Sequence, residues 1–188
     1  MRRIPMTASL NPSCTKPQRF HVLIRTEHFT EPKSKTENLQ DRYAPNSVCF
    51  GCGPKNARGL HLKSVPAGGS VIANWTPRKD HVAFGNYGSG GIISVLMDCH
   101  GNWACAYALM KVRKLAAPPG TVTAEYTVRF LRPSRIDRVW RLKASTTKID
   151  GNRVNVSGEL RVDGMTTATM KGLFVAVKEG HPAFYRWH

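Results

Sequence analysis

From Leu60 onward, alternating apolar and polar positions sort most of the chain into strands. Leu60, Leu62 and Ser64 alternate with His61, Lys63 and Val65, which predicts a strand ended by the Pro66-Ala67-Gly68-Gly69 turn. Val71, Ala73 and Trp75 continue the pattern as its hairpin partner, and Pro77 to Tyr87, which has no period, is expected to be a loop. Gly90 to Met110 follows another rule. Ile92, Ile93, Val95, Leu96, Met97, Trp103, Ala104, Ala106, Tyr107, Leu109 and Met110 cover nearly the whole circumference of a helix. A helix apolar on most sides is wrapped by other structure rather than laid on a surface. Lys111, Arg113 and Lys114 suit the negative pole of its dipole, and Pro118-Pro119-Gly120 stops it.

Four strands follow. Val122, Ala124, Tyr126, Val128 and Phe130 alternate with polar residues until Pro133, and Trp140, Leu142, Ala144 and Thr146 mark the next strand, before Asp150-Gly151-Asn152. Val154, Val156, Leu160 and Val162 lead to Asp163-Gly164, a strong hairpin signal, and Ala168, Met170, Gly172, Phe174 and Ala176 make the last strand. Burying the helix requires a curved antiparallel sheet of about six strands wrapped around it. The expected class is therefore α+β, with the hotdog arrangement.

Length and charge refine this picture. At 188 residues the chain has room for one domain with a proper core. Residues 1–45 are rich in Pro, Thr, Ser, Lys and Glu and are expected to be a basic, mostly disordered extension; 46–180 form the domain, and 181–188 a tail. No stretch reaches the ~18 continuous apolar residues of a membrane span, and no apolar run follows Arg2 and Arg3 as in a secretory signal. A cytoplasmic location away from membranes is the expectation. Five cysteines, an odd number loosely spaced, argue for reduced thiols rather than a disulfide framework. The formal charge is +16, of which residues 1–48 carry +4 and residues 49–188 the other +12. Such a body attracts polyanions, whether nucleic acid or a ligand bearing several phosphates.

Three segments are more specific than the topology. Cys49-Phe-Gly-Cys-Gly-Pro-Lys-Asn-Ala-Arg-Gly-Leu60 is similar to the domain opening of the phenylacetate-pathway (PaaI-like) family of hotdog acyl-CoA thioesterases. Gly90-Gly91-Ile-Ile-Ser-Val-Leu-Met-Asp98 resembles its Gly-Gly turn into the central helix, with the catalytic Asp seven residues past the second Gly. Thr123-Ala-Glu-Tyr-Thr-Val-Arg-Phe-Leu-Arg-Pro133 resembles its Thr…Tyr-Leu-Arg-Pro strand. The resemblance spans Cys49 to Lys178 and implies hydrolysis of an acyl-CoA to free acid and CoA by a homodimer or dimer of dimers. In this family the two halves of the site usually come from different subunits. One position departs: where the family often has His before the Gly pair, this chain has Ser89.

The residues support the same chemistry. A carboxylate within an apolar helix loses hydration, which raises its pKa and suits Asp98 to act as a general base or nucleophile. Ser89, Gly90 and Gly91 begin the helix, where unpaired backbone N–H groups can hold a thioester oxygen. His100 and Ser94 are secondary candidates, and Asn102 and Ser94 lie one turn from Asp98, where they can instead fix its carboxylate. Arg129, Arg132 and Arg135, with Arg138 and Arg141 beyond them, offer guanidinium groups for CoA phosphates. No cofactor is expected, CoA entering only as part of the substrate. Nor is a metal: Cys49-x-x-Cys52 lacks the second cysteine pair of a four-ligand zinc site, and only His61 stands by to contribute. Cys99 and Cys105 share the helix, without a base on the face of Cys99 to make it a nucleophile. The alternative to hydrolysis is a binding module holding acyl-CoA or another polyanion without turnover, which Ser89 favours. Nucleic-acid binding lacks any recognisable motif beyond charge.

Overall fold

The computed structural model describes residues 37–187. Six strands form one antiparallel sheet around a single long helix. Helix α2 (Gly90–Val112) carries the all-round apolar sequence, and thirteen of its 23 residues are buried. The sheet contains β1 (Val65–Ala67), β2 (Ser70–Trp75), β5 (Thr121–Phe130), β6 (Trp140–Asp150), β7 (Arg153–Val162) and β8 (Met165–Ala176), in the order β1-β2-β6-β7-β8-β5. This is the expected hotdog arrangement. The core is the concave face of the sheet (Leu142, Ala144, Val154, Val156, Leu160, Met170 and Phe174) closed over Leu96, Trp103, Cys105 and Leu109 of α2. Gly101 marks the tightest helix–sheet approach, since a Cβ there would lie 2.6 Å from both Met170 Cε and Phe174 Cζ.

The turns follow their residue chemistry. Gly68-Gly69 joins β1 to β2 and Asp163-Gly164 joins β7 to β8; both central residues have positive φ in each, the geometry that matches the strand twist.

Several elements differ from the sequence expectation. The first strand lies at Val65–Ala67, not at Leu60–Ser64. The earlier stretch still buries alternate residues, but it pairs with a turn: Leu60 N–H donates to Phe50 O and Leu62 N–H to Gly51 O. Within the expected loop at 77–87, a 3₁₀ turn (Lys79–His81) leads into a small ribbon of β3 (Val82–Phe84) and β4 (Tyr87–Gly88). Most of the expected disordered extension (residues 1–36) lies outside the described residues. Its end instead forms helix α1 (Leu39–Tyr43), capped by the Asn38 side chain and burying Leu39 and Gln40. The tail also packs: Trp187 lies 4.4 Å from Trp103, ring to ring, and its indole N–H donates to Pro119 O. Neither end shows a period long enough to announce this.

Candidate active site

Strand β5 is an edge of the sheet, and it runs antiparallel to the first half of α2. The contacts between them form a ladder. Phe130 lies against Gly90, Tyr126 is hydrogen-bonded to Ser94, and the Thr123 hydroxyl donates to Asp98 Oδ1 at 2.6 Å. One turn further on, Asn102 Oδ1 accepts from the Thr121 hydroxyl and Asn102 Nδ2 donates to Thr123 Oγ1 at 3.4 Å. Ser94, Asp98 and Asn102 are four apart, so they make one stripe on the helix. A register shift between Thr123 and Glu125 lets both Thr123 and Tyr126 reach that stripe, although an odd spacing would otherwise put them on opposite faces.

Asp98 is half-buried, and burial raises its pKa above the usual carboxylate range. The Thr123 hydrogen bond and the charge of Arg186 oppose this without cancelling it. Arg186 comes from the C-terminal segment, anchored by its bond to Thr121 O at 2.6 Å. No regular element carries it there, so no periodic pattern points to it. Thr123 and Tyr126 belong to the polar-apolar alternation of β5, a period that marks a strand without telling a site residue from a core one.

At the helix start, Ser89 caps α2 without a side-chain hydrogen bond, and its carbonyl accepts from Ile93. Gly90 and Gly91 present first-turn N–H groups that no helical carbonyl can take. Beside them lies a cleft of about 350 Å³ lined chiefly by Phe84, Tyr87, Gly90, Ile93, Phe130 and Arg132. Gly91 and Asp98 are seven residues apart, which sets them about 10 Å apart along the helix axis.

The other candidates divide. His100 is not at this site. It is wholly buried on the far side of α2, where its Nε2–H donates to Val71 O at 3.0 Å and its Nδ1 faces Ser64 Oγ at 2.9 Å. Of the arginines, Arg132 borders the cleft and donates to Thr166 O at 3.0 Å. Arg135 is held in a two-pronged pair with Asp137, and Arg138 bridges Asp137 and Asp163. Arg129 is exposed on β5, its neighbours Val128 and Phe130 being the residues that face the helix. The three arginines therefore do not converge on Asp98.

One cluster was unforeseen. The Sγ atoms of Cys49, Cys52 and Cys99 all lie within 4.8 Å of one another. His61 is not part of this group, and Cys14 lies outside the described residues. Cys105 stands apart, its thiol pushed up to about 12 by burial.

Comparison with known proteins agrees with the fold. Residues 87–169 match the family model of the thioesterase superfamily. No curated protein matches the chain significantly. Among solved structures, a thioesterase superfamily protein from Shewanella loihica PV-4 shares 26% identity over 62% of this chain and 91% of its own, with a TM-score of 0.54. The PaaI protein of the E. coli phenylacetic acid degradation operon aligns over 63% of this chain and 81% of its own, at 16% identity and a TM-score of 0.55. A phenylacetic acid degradation-related protein from Ralstonia eutropha JMP134 covers 67% of this chain and 92% of its own, at 21% identity and a TM-score of 0.55.

Proposed function

We propose that this chain, whose residues 87–169 match the thioesterase superfamily, hydrolyses an acyl-CoA thioester to the free acid and CoA, with Asp98 as the reacting carboxylate. The observation that carries the reading is the Thr123–Asp98 hydrogen bond in a half-buried seam opening at a sheet edge. Desolvation makes the carboxylate a stronger base than one in water, and Thr123 fixes which oxygen remains to face the substrate. In the general-base form, Asp98 takes a proton from water while that water attacks the carbonyl carbon. The oxygen gains charge, and the thiolate of CoA leaves. In the nucleophilic form, the carboxylate oxygen attacks first, the C–S bond breaks to release the CoA thiolate, and water then cleaves the resulting anhydride to the free acid and the Asp98 carboxylate.

Charge on the carbonyl oxygen needs donors, which the Gly90–Gly91 helix start supplies. Those donors are about 10 Å from Asp98 along the same helix, too far for both to contact one carbonyl. The reading therefore uses two copies, Asp98 from one and the Gly90–Gly91 turn from the other. The open β5 edge, with Tyr126 37% and Phe130 55% exposed, supplies the surface for such a pairing. The apolar cleft beside Gly90 suits the acyl or pantetheine chain.

The test is thiol release from short, medium, long and aryl acyl-CoAs by wild type and Asp98→Asn. We expect the variant to lose at least about a hundredfold in turnover, in the range for removal of a catalytic base. Undiminished turnover in a folded variant would overturn the assignment. A second reading rests on Ser89: with no imidazole at the helix start, the scaffold holds acyl-CoA without cleaving it. CoA binding without turnover of any substrate would select that reading.

A further inference from the structure

The three clustered cysteines have no part in the reaction above, yet their surroundings are specific. Cys49-Phe50-Gly51-Cys52-Gly53 folds back on itself, Gly53 N–H donating to Cys49 O at 2.8 Å and Cys49 N–H to Ser47 Oγ at 3.3 Å. Within this turn the N–H groups of Gly51 and Cys52 both point at Cys49 Sγ. Two glycines make the fold-back possible. A Cβ at Gly53 would overlap the Cys49 backbone, and one at Gly51 would overlap Cys99 Sγ. The third sulfur comes from α2, fifty residues away, and reaches Cys49 Sγ at 3.7 Å.

That separation is informative. Thiols packed as small apolar groups have no reason to converge three at a time. Sulfurs held by one tetrahedral ion at about 2.3 Å each are about 3.8 Å apart. Trp103 adds an indole N–H to Cys52 Sγ at 3.4 Å, a neighbour of the kind that orients a ligand sulfur.

We propose that Cys49, Cys52 and Cys99 form a binding site for a thiophilic d¹⁰ cation, with Zn²⁺ as the ion of choice. Three thiolates satisfy three corners of a tetrahedron, and binding releases the remaining thiol protons. Among the described residues no His, Asp or Glu joins the three within the same radius, which leaves the fourth corner open to a further ligand. The ion would tie the 49–53 turn to α2 at the residue next to Asp98. It is not a participant in hydrolysis, so this inference stands whether or not the chain is a thioesterase.

The experiment uses full-length protein carrying Cys14→Ser, reduced and stripped of metal. Titration with Co²⁺ should give thiolate-to-cobalt charge-transfer absorption and the intense visible bands of a tetrahedral site, saturating at one ion per chain. Zn²⁺ added afterwards should bleach them. Cys49→Ser, at the half-exposed member, should weaken Zn²⁺ binding at least about tenfold, the lower end of what losing even an outer-shell partner costs. Cys105→Ser should bind as the parent does. Because Cys99 is buried, its role is read from the parent's spectrum, where intensity reports three sulfurs, as well as from Cys99→Ser. No charge-transfer band in the folded parent, or equal binding by Cys49→Ser, would overturn the site.

Discussion

His100 offers a sharp test of the buried polar network that ties α1, the 60–64 segment and β2 to α2. Gln40 Nε2 donates to Ser64 Oγ at 3.1 Å, and Gln40 Oε1 accepts from Ser64 N–H at 2.7 Å. Ser64 Oγ then has its own hydrogen to give to His100 Nδ1, while Nε2–H is used by Val71 O. The neutral imidazole satisfies every group in the chain. A proton on Nδ1 would face the Ser64 hydrogen and place an uncompensated charge in the core. Burial accordingly pulls the His100 pKa down from 6.5 to about 4, the Val71 carbonyl offsetting only part of this. No charged group contributes to the shift.

The sign follows from proton counts. Between pH 6.5 and about 4 the unfolded state binds the proton and the folded state does not, so stability rises with pH in that window. The contribution is complete above 6.5 and falls away as pH drops towards 4. At about 1.4 kcal/mol per pH unit, the limit is about 3 kcal/mol, of which about 2 kcal/mol is lost between pH 7 and about 4.5. His100→Gln keeps a donor and an acceptor but cannot titrate. Urea unfolding of both proteins at the two pH values isolates the effect, because carboxylates and His81 act equally in each. We expect the wild type to lose about 2 kcal/mol more than His100→Gln on acidification. Equal losses would refute the account, and with it the neutral tautomer assigned to His100.

Three further outcomes test other parts of the structure. Thr123→Val keeps the shape of the side chain but removes the donor to Asp98. It should lower kcat about tenfold, the scale of one hydrogen bond to a charged group, with the urea midpoint little changed; an unaltered kcat would remove Thr123 from the site. Trp187→Ala opens a hole against Trp103, and calorimetry or urea titration should show a loss of about 3 kcal/mol. A loss below about 1 kcal/mol would mean that the C-terminal segment does not pack in solution. Gly51→Ala drives a methyl group into Cys99 Sγ and within 2.9 Å of Val95 Cγ1, so it should destabilise by about 1–3 kcal/mol. Wild-type stability in that variant would show that the 49–53 turn lies further from α2 than the structure has it.

The features legible in sequence were those that repeat. Period-two alternation located β2 and β5 to β8, and an apolar circumference located α2 almost to the residue, because each pattern is imposed by one neighbour along the element's whole length. Leu60, Leu62 and Ser64 show the limit of that logic. They alternate in burial as a strand would, but their backbone partners belong to a turn at Phe50–Gly51, which no local pattern reveals. The same holds for the site. Asp98 stood out as a carboxylate in an apolar helix, whereas Arg186 and Cys49 approach it through irregular segments. For the arginines, sequence spacing places guanidinium groups near one another but does not show their partners: Asp137 engages Arg135, and Asp163 engages Arg138.

Asp98 and Cys99 are adjacent in sequence yet project about 100° apart around α2, as successive helix residues do. One therefore meets β5 and its open edge, while the other meets the 49–53 turn. The two proposals thus draw on one helix but different faces. Asp98 takes a hydrogen bond from the edge strand, and Cys99 joins sulfurs from the segment that opens the domain. Removing the carboxylate therefore leaves the sulfur geometry intact. Asp98→Asn should accordingly abolish hydrolysis while keeping the cobalt spectrum of the parent. Loss of that spectrum would mean that the two sites are one.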